Sequence, residues 1–149
     1  MKFFHYVIAT GLGFGYSPIA PGTAGSILAL VTGYFFLGHH LPLLLIGIVV
    51  ITLLGIISAS YVENTQGKED PSIVVVDEVA GMWIALIMVP HSPGWYLAAF
   101  LLFRFFDVAK PYPIRSMEKF HGGLGIMLDD IIAGVYSLII LQIAVHFLT

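Results

Sequence analysis

The chain has 149 residues, of which 58% are hydrophobic and 10% carry a charge, and its mean hydropathy is +0.96. Because soluble domains carry roughly 25% charged residues, this composition excludes an ordinary soluble globule and indicates an integral membrane protein. Cysteine is absent, which excludes disulfides, thiolate metal sites and a cysteine nucleophile. The net charge of −3, without a run of basic residues, gives no reason to expect nucleic acid as a partner.

The chain begins with a short apolar segment, MKFFHYVIAT, which contains one lysine. Glycines and prolines follow where a signal peptide would have its cleavage site, so we expect the segment to remain in the mature protein. No internal repeat or low-complexity tract divides the sequence. We therefore expect a single domain over residues 1–149.

Residues 11–26, GLGFGYSPIAPGTAGS, are dense in glycine, proline and small hydroxyl residues. Glycine and proline weaken both helices and strands, so the segment predicts a stiff loop. Glycine-rich backbone can turn its N–H groups toward an anion, and Ser17 and Thr23 would add hydroxyl donors. A loop that packs against helices explains the same pattern nearly as well, so both interpretations stay open.

Three long spans contain no Lys, Arg, Asp or Glu: residues 3–62, 79–103 and 131–149. A helix that crosses a bilayer needs roughly 20 mainly apolar residues. We therefore predict an all-α fold, a small polytopic membrane protein of about four to five hydrophobic helices, arranged as two helical hairpins and a C-terminal helix. Several of the segments are short, which leaves tilted or re-entrant helices open.

The predicted hairpins turn over at tips without formal charge, HHLP at residues 39–42 and HSPG at residues 91–94. Every charged residue then falls at the opposite ends of the helices, together with residues 11–26. All six Lys and Arg residues share that side, which the positive-inside rule makes cytoplasmic. We therefore expect the chemistry to lie at one face of the membrane.

Carboxylates collect at the predicted ends of three apolar helices. Asp77 and Glu78 begin the second hairpin, Asp107 lies near its end, and Asp129 and Asp130 open the last apolar run. The helix dipole favours acids near a helix N-terminus, and one aspartate of a pair can act as an N-cap. Converging carboxylates without sulfur and with few imidazoles instead favour a hard cation, typically Mg²⁺ or Mn²⁺.

Basic residues accompany these acids. Arg104 and Lys110 lie three residues to either side of Asp107 and share its helical face, an arrangement that also suits a structural ladder of ion pairs. Together with Lys68 and Arg115, they supply charges that can hold a phosphate group, to which Mg²⁺ commonly bridges. His121, which precedes two glycines, is either a proton donor or a loop residue.

Four motifs of this chain resemble, in the same order, those of the phosphatidylglycerophosphatase A family: GLGFGYSPIAPGTAGS, DEVAGMW, FRFFDVAKPYPIR and HGGLGIMLDDIIAG. The resemblance implies a bacterial membrane enzyme that hydrolyses phosphatidylglycerophosphate to phosphatidylglycerol and inorganic phosphate and requires Mg²⁺. The residues aligned with the family motifs include Asp77, Glu78, Asp107, Lys110, Asp129 and Asp130. Residues 63–70 do not align with the family pattern, so Lys68 and Asp70 receive no role.

We accordingly predict one site built from two kinds of residue. The predicted catalytic and metal-binding residues are Asp77, Glu78, Asp107, Asp129 and Asp130. The predicted substrate-binding residues are Ser17, Gly22, Thr23, Arg104, Lys110 and Arg115. The expected cofactor is Mg²⁺, the expected partners are a phospholipid substrate and the lipid bilayer, and the expected location is the bacterial inner membrane with the site facing the cytoplasm.

Alternatives stay open for the mechanism and for the class of protein. Metal-assisted hydrolysis with Glu78 as the base competes with a covalent route through an aspartyl phosphate. A cation transporter would place its carboxylates near the bilayer midplane, whereas these gather at one end beside cations. The spacing typical of CDP-alcohol phosphotransferases is absent. Gly47, Gly55 and Gly134 permit close helix packing, which leaves a homo-oligomer open.

Overall fold

The structure, a computed structural model, describes residues 1–149 apart from the side chain at position 118. Over these residues the chain forms six α-helices and no strand, which confirms the predicted all-α class. The helices are α1 (Lys2–Ala9), α2 (Pro21–Thr32), α3 (Leu41–Gln66), α4 (Val76–Ala85), α5 (Pro93–Ala109) and α6 (Gly122–Leu148). A π-helical turn, Gly33–Leu37, extends α2, and a 3₁₀ segment, Ile114–Lys119, precedes α6.

The order of the helices matches the predicted hairpins. Helices α2 and α3 lie on either side of the first predicted tip, α4 and α5 lie on either side of the second, and α6 follows alone. Helix α1 was not predicted; it packs against α3, where the His5 ring lies 3.1 Å from the Ser58 hydroxyl. The carbonyl at the end of α1, on Ala9, accepts a hydrogen bond of 2.8 Å from the Val75 amide just before α4.

Two helices, α3 and α6, are long and apolar enough to cross a membrane, with mean hydropathies of 2.8 and 2.2. Within the most apolar 18-residue stretch of each helix, 17% and 22% of the residues are buried within the protein. A core helix of a soluble protein would instead be mostly buried, and large exposed apolar patches mark contact surfaces. The outward faces of α3 and α6 therefore suit lipid, as expected for a small membrane protein.

Helix α4 is the centre of the fold rather than a lipid-facing span. Eight of its ten residues are buried, and the Trp83 indole N–H donates to the Ala29 carbonyl of α2 at 3.0 Å. The Phe103 side chain of α5 is fully buried in the same core. Because α4 is too short to cross a bilayer, its role is to hold α2, α5 and α6 around the residues at its N-terminus.

The uncharged tips meet at one end of the molecule, as the hairpins require. The rings of His39 and His91 lie 3.9 Å apart, and the Gln142 amide near the end of α6 donates to the Ile87 carbonyl at 2.9 Å. The charged residues therefore collect at the other end, where α2, α4 and α6 begin and where α3 and α5 finish.

Two helix boundaries differ from the sequence predictions. Helix α2 begins at Pro21, so the second part of the predicted stiff loop is helical; proline is favoured at a first helical position because its missing N–H would be unpaired there anyway. Helix α6 begins at Gly122, with His121 as its N-cap. The expectation that Asp129 and Asp130 open this helix is therefore wrong, as is the N-cap interpretation of either.

Candidate active site

The site lies where the first turn of α4 meets the third turn of α6. Asp77 and Asp130 are buried, with 6% and 1% of their surfaces exposed. The helix backbones can approach closely because α4 has glycine at position 81: a Cβ there would lie 2.5 Å from the Asp130 carbonyl oxygen. This contact places the acids of α6 beside those of α4.

Five carboxylates from α4, α5 and α6 converge in two groups of three. One group is Asp77, Asp129 and Asp130, and the other is Glu78, Asp107 and Asp130. Within each group, one oxygen from every residue lies within 4.8 Å of one from each of the others. Asp130 belongs to both groups, so it occupies the middle of the cluster. The structure thus brings together all five residues predicted to bind metal.

Three of these acids have a buried oxygen without a hydrogen-bond partner among the described residues: Asp77 Oδ1, Glu78 Oε2 and Asp130 Oδ2. A buried polar group left unpaired is costly, and a buried charge more so. Burial raises the pKa of the Asp77 carboxyl well above its usual range, and the adjacent Glu78 charge adds to the rise. Burial likewise raises the pKa of Glu78, with Asp130 as the next cause.

The donor set fits a hard divalent cation. Carboxylate oxygens are the ligands that Mg²⁺ prefers, and both groups of three consist of carboxylates. The three unpartnered oxygens have free lone pairs for such a cation. Asp107 and Asp129 contribute less freely, because Asp107 Oδ2 accepts from Arg104 and both oxygens of Asp129 accept hydrogen bonds.

Two basic residues form ion pairs with carboxylates of the cluster. Arg104 Nη1 donates to Asp107 Oδ2 at 2.6 Å and lies 3.5 Å from the Ser26 hydroxyl of α2. Lys110, in a left-handed conformation that ends α5, donates from Nζ to Asp129 Oδ2 at 3.2 Å. The predicted ladder along one face of α5 is therefore divided: Arg104 pairs within α5, whereas Lys110 reaches across to α6.

A cavity of about 290 Å³ opens onto the carboxylates. It is lined by Pro21, Gly22, Asp70, Pro71, Ser72, Val74, Asp77, Glu78, Asp107, Lys110, Asp129 and Asp130. Gly22 lies at the start of α2, and a Cβ there would be 2.8 Å from Glu78 Oε1 and 3.3 Å from Arg104 Nη1. The glycine thus lets the N-terminus of α2 approach the acids.

Four of the residues predicted to bind substrate do not line this cavity. The Ser17 hydroxyl donates to the Ile19 carbonyl within its own loop, at 2.8 Å. Thr23 also lies away from the cavity, and Arg104 is occupied with Asp107. Arg115 lines a neighbouring groove instead. Gly22 and Lys110 do line the cavity.

The structure also places residues that the sequence left without a role. Asp70 lines the carboxylate cavity and, with Glu63, Glu69 and His121, a second cavity of about 340 Å³ beside it. The Asp70 amide donates to Glu63 Oε2 at 3.1 Å, which fixes this loop to the end of α3. His121 lies on the surface, 3.8 Å from Glu69. No sequence pattern marked Asp70, because it lies in a loop without periodicity.

A family profile described as phosphatidylglycerophosphatase A matches residues 7–145, nearly the whole chain. The chain belongs to the phosphatidylglycerophosphatase A family. It is 42% identical to phosphatidylglycerophosphatase A of Escherichia coli K12, over 95% of this chain and 83% of that protein. It is 39% identical to phosphatidylglycerophosphatase A of Haemophilus influenzae, over 91% of this chain and 85% of that protein.

Another relative has a different name. The chain is 47% identical to a putative phosphatidylinositol-3-phosphatase of Bacteroides thetaiotaomicron, over 96% of this chain and 94% of that protein. No solved structure matches the chain. Membership of the phosphatidylglycerophosphatase A family confirms that the chain is a phosphatase and, with the two apolar helices, a bacterial membrane protein.

Proposed function

We propose that this protein hydrolyses the terminal phosphomonoester of phosphatidylglycerophosphate, releasing phosphatidylglycerol and inorganic phosphate with the help of Mg²⁺. Family membership supports the reaction and the lipid. The observation that supports the metal most is Asp130, which has a buried unpartnered oxygen and belongs to both groups of three carboxylates.

The cluster would hold one Mg²⁺ ion in each group of three, and Asp130 would contribute to both groups. Asp77 and Asp129 complete one group, and Glu78 and Asp107 complete the other. When bound, Mg²⁺ supplies Lewis-acid stabilisation for the negative charge on the phosphoryl oxygens and the leaving oxygen. All five carboxylates are needed in ionised form for this role.

The protein's own cations position the phosphate and the acids. Lys110 lines the cavity, and its ammonium group can donate to a phosphoryl oxygen while remaining close to Asp129. Arg104 fixes Asp107 in place through their 2.6 Å ion pair. At the start of α2, the Gly22 backbone lies at the cavity wall, where the positive end of the helix dipole favours an anion.

The depth of the site suits a lipid headgroup. Asp129 and Asp130 lie in the third turn of α6, and they line one cavity with Asp70, from the loop before α4, and with Lys110, at the end of α5. A headgroup can therefore enter from the membrane surface while its acyl chains stay in the bilayer. The end of the molecule that carries the site also carries the basic residues, so we place it on the cytoplasmic side.

A second headgroup belongs in the test because the Bacteroides relative is named a putative phosphatidylinositol-3-phosphatase. Phosphatidylinositol 3-phosphate also presents a phosphomonoester on a polyol that is joined to diacylglycerol through a phosphodiester. The carboxylate cluster contacts only the phosphomonoester, which both lipids have, so the same site can hydrolyse either lipid.

The test is phosphate release by the purified protein in mixed micelles, with three substrates at equal concentration. These are phosphatidylglycerophosphate, phosphatidylinositol 3-phosphate and water-soluble glycerol 3-phosphate. We expect the first to be hydrolysed with the highest kcat/KM and the soluble substrate with the lowest. A preference for the inositol lipid would overturn the headgroup assignment and leave the phosphatase intact. Folded protein that releases phosphate from neither lipid would overturn the proposed reaction.

A further inference from the structure

A basic groove lies directly beside the carboxylate cavity. It has a volume of about 490 Å³ and is lined by Ala109, Lys110, Tyr112, Arg115, Ser116 and Lys119. Lys110 also lines the carboxylate cavity, so the two spaces share a wall. The chain has six Lys and Arg residues, and three of them line this groove. Such a concentration of positive charge suits an anion.

The two neighbouring spaces differ sharply in charge. Six acids line the carboxylate cavity together with one cation, Lys110. No acidic side chain among the described residues lines the groove. Within the same part of the chain, Arg115 and Lys119 form no ion pair, and both are exposed. Their exposure lets both side chains reach a ligand in the groove.

The groove is anchored to α6, the helix that carries Asp129 and Asp130. Ile114, which begins the 3₁₀ segment that carries Arg115 and Lys119, is fully buried in the core. The Tyr136 hydroxyl of α6 donates to the Tyr112 carbonyl at 3.0 Å. Lys110 is tied to α6 through Asp129. The groove thus has a fixed position relative to the carboxylates.

We propose that this groove binds the phosphodiester of the same lipid whose terminal phosphomonoester occupies the carboxylate cavity. The assignment rests on the proposed function, because it needs a headgroup with two phosphates joined by a polyol. Phosphatidylglycerophosphate and phosphatidylinositol 3-phosphate both have this pattern, whereas phosphatidic acid has a single phosphate. The groove therefore selects lipids with two phosphates and determines specificity without touching the reacting atoms.

The position of the groove favours the substrate's own phosphodiester over bulk anionic lipid. A general anchor for anionic lipids needs basic residues anywhere at the membrane surface, whereas these cations adjoin the catalytic cavity through Lys110. Tyr112 is 85% exposed at the groove, and tyrosine is favoured where the headgroups meet the hydrocarbon. A lipid bound here would have its phosphodiester at the cations and its glycerol backbone near Tyr112.

Direct binding provides the first test. Phosphatidylglycerol has the phosphodiester without the terminal phosphate, and diacylglycerol with the same acyl chains has neither. In micelles of neutral detergent, we expect the wild-type protein to bind phosphatidylglycerol, and the double variant Arg115→Ala/Lys119→Ala to bind it at least about tenfold more weakly. Lys2→Glu changes the net charge by the same amount outside the groove and should leave the affinity unchanged.

Kinetics provides the second test, with the charge-conserving variant Arg115→Lys/Lys119→Arg as a rescue. The alanine double variant should raise KM for phosphatidylglycerophosphate about tenfold or more and change kcat less than about twofold, since the groove contacts no reacting atom. The rescue variant should recover most of the loss. Thermal unfolding and Mn²⁺ binding should match the wild type, which shows that the variant folds and retains its acids.

Three results would overturn the proposal. One is an alanine double variant with unchanged affinity for phosphatidylglycerol and unchanged KM. Another is a defect that appears in vesicles rich in bulk anionic lipid and is absent in neutral micelles, which would make the groove a general membrane anchor. The third is an equal loss with Lys2→Glu. If the wild type released no phosphate, the proposed function would fail, while phosphatidylglycerol binding would still test the groove.

Discussion

Gly134 of α6 packs directly against the backbone of Gly81 in α4, so closely that a Cβ on Gly134 would overlap the Gly81 carbonyl oxygen. Each glycine lies one turn beyond an acid of the site, Asp130 on α6 and Asp77 on α4. The contact therefore sets the distance between the two helices at the carboxylate cluster. In the sequence, Gly134 was one of the glycines that left a homo-oligomer open, and its contact with Gly81 gives it a packing role within the chain.

Gly134→Ala tests this contact. The added methyl group has no space, so we expect the free energy of unfolding to fall by roughly 1–3 kcal/mol and Mn²⁺ binding to weaken as α4 and α6 separate. Gly94→Ala is the matched control, because a Cβ at Gly94 meets no atom within 4 Å. Thermal unfolding in detergent measures both variants. A Gly134→Ala protein as stable as the control would contradict the assigned packing.

Asp130→Asn tests the sharing of one carboxylate between two groups. We expect the wild type to bind about two Mn²⁺ ions per chain, Asp77→Asn to lose one, and Asp130→Asn to lose both or bind them far more weakly. Electron paramagnetic resonance of free Mn²⁺ gives the stoichiometry without any assay of activity. Glu69→Gln, at an exposed acid outside the carboxylate cavity, is the control. Equal stoichiometry in Asp77→Asn and Asp130→Asn would exclude a shared ligand.

Removal of divalent cations should destabilise the fold, since it leaves buried oxygens of Asp77, Glu78 and Asp130 without partners. Saturation with a ligand at about 100 times its Kd stabilises a protein by about 2.7 kcal/mol. We therefore expect Mg²⁺ to raise the Tm by several degrees over protein in EDTA, and Asp130→Asn to show little of this rise. A wild-type Tm that is the same in Mg²⁺ and in EDTA would argue against a metal at the cluster.

Lys110→Met tests the cation at the shared wall of the cavity and the groove. The change removes a charge beside the phosphate and leaves Asp129 without its partner at 3.2 Å. We expect kcat/KM for the lipid to fall at least about tenfold, which corresponds to about 1.4 kcal/mol of transition-state stabilisation. Lys2→Met, remote from both spaces, should be close to the wild type. Normal turnover by Lys110→Met would exclude a role for Lys110 in the reaction.

The sequence predicted the all-α fold and the convergence of the acids, each for a physical reason. Long charge-free spans separated by uncharged tips predicted the hairpins, because charges are excluded from lipid. The same exclusion made Asp77, Asp107 and Asp130 conspicuous against their apolar surroundings. Their convergence followed once all charged ends were placed on one side, and the structure agrees.

Local helix chemistry was harder to predict. The run HGGLGIMLDD contains glycines that usually end helices, yet α6 includes them because α3 packs tightly there and the Ser60 hydroxyl accepts from the Gly123 amide at 2.7 Å. Tertiary contacts thus outweighed local propensity. In the glycine-rich segment, residues 11–26, Gly25 faces Val75: a Cβ added to Gly25 would lie 2.8 Å from the Val75 Cβ. This contact supports the packing interpretation of that glycine.

Sequence patterns predicted neither a position for Asp70 beside the other acids nor the groove, although Arg115 by itself was predicted to bind substrate. Asp70 lines the carboxylate cavity from an irregular loop between α3 and α4, and no helical spacing relates it to the other acids. Arg115 and Lys119 form a groove with Lys110 because the 3₁₀ segment folds back against α6. Their positions depend on the anchoring of Ile114, which is a property of the folded core.

The most direct test of a metal-dependent site is phosphate release from phosphatidylglycerophosphate by EDTA-treated protein as Mg²⁺ is restored, with Mn²⁺ binding followed on the same preparation. We expect no turnover in EDTA, recovery over the range of Mg²⁺ that raises the Tm, and a loss of at least about 100-fold in Asp130→Asn. Full turnover in EDTA, or an Asp130→Asn variant with normal turnover, would contradict a metal-dependent phosphatase centred on Asp130.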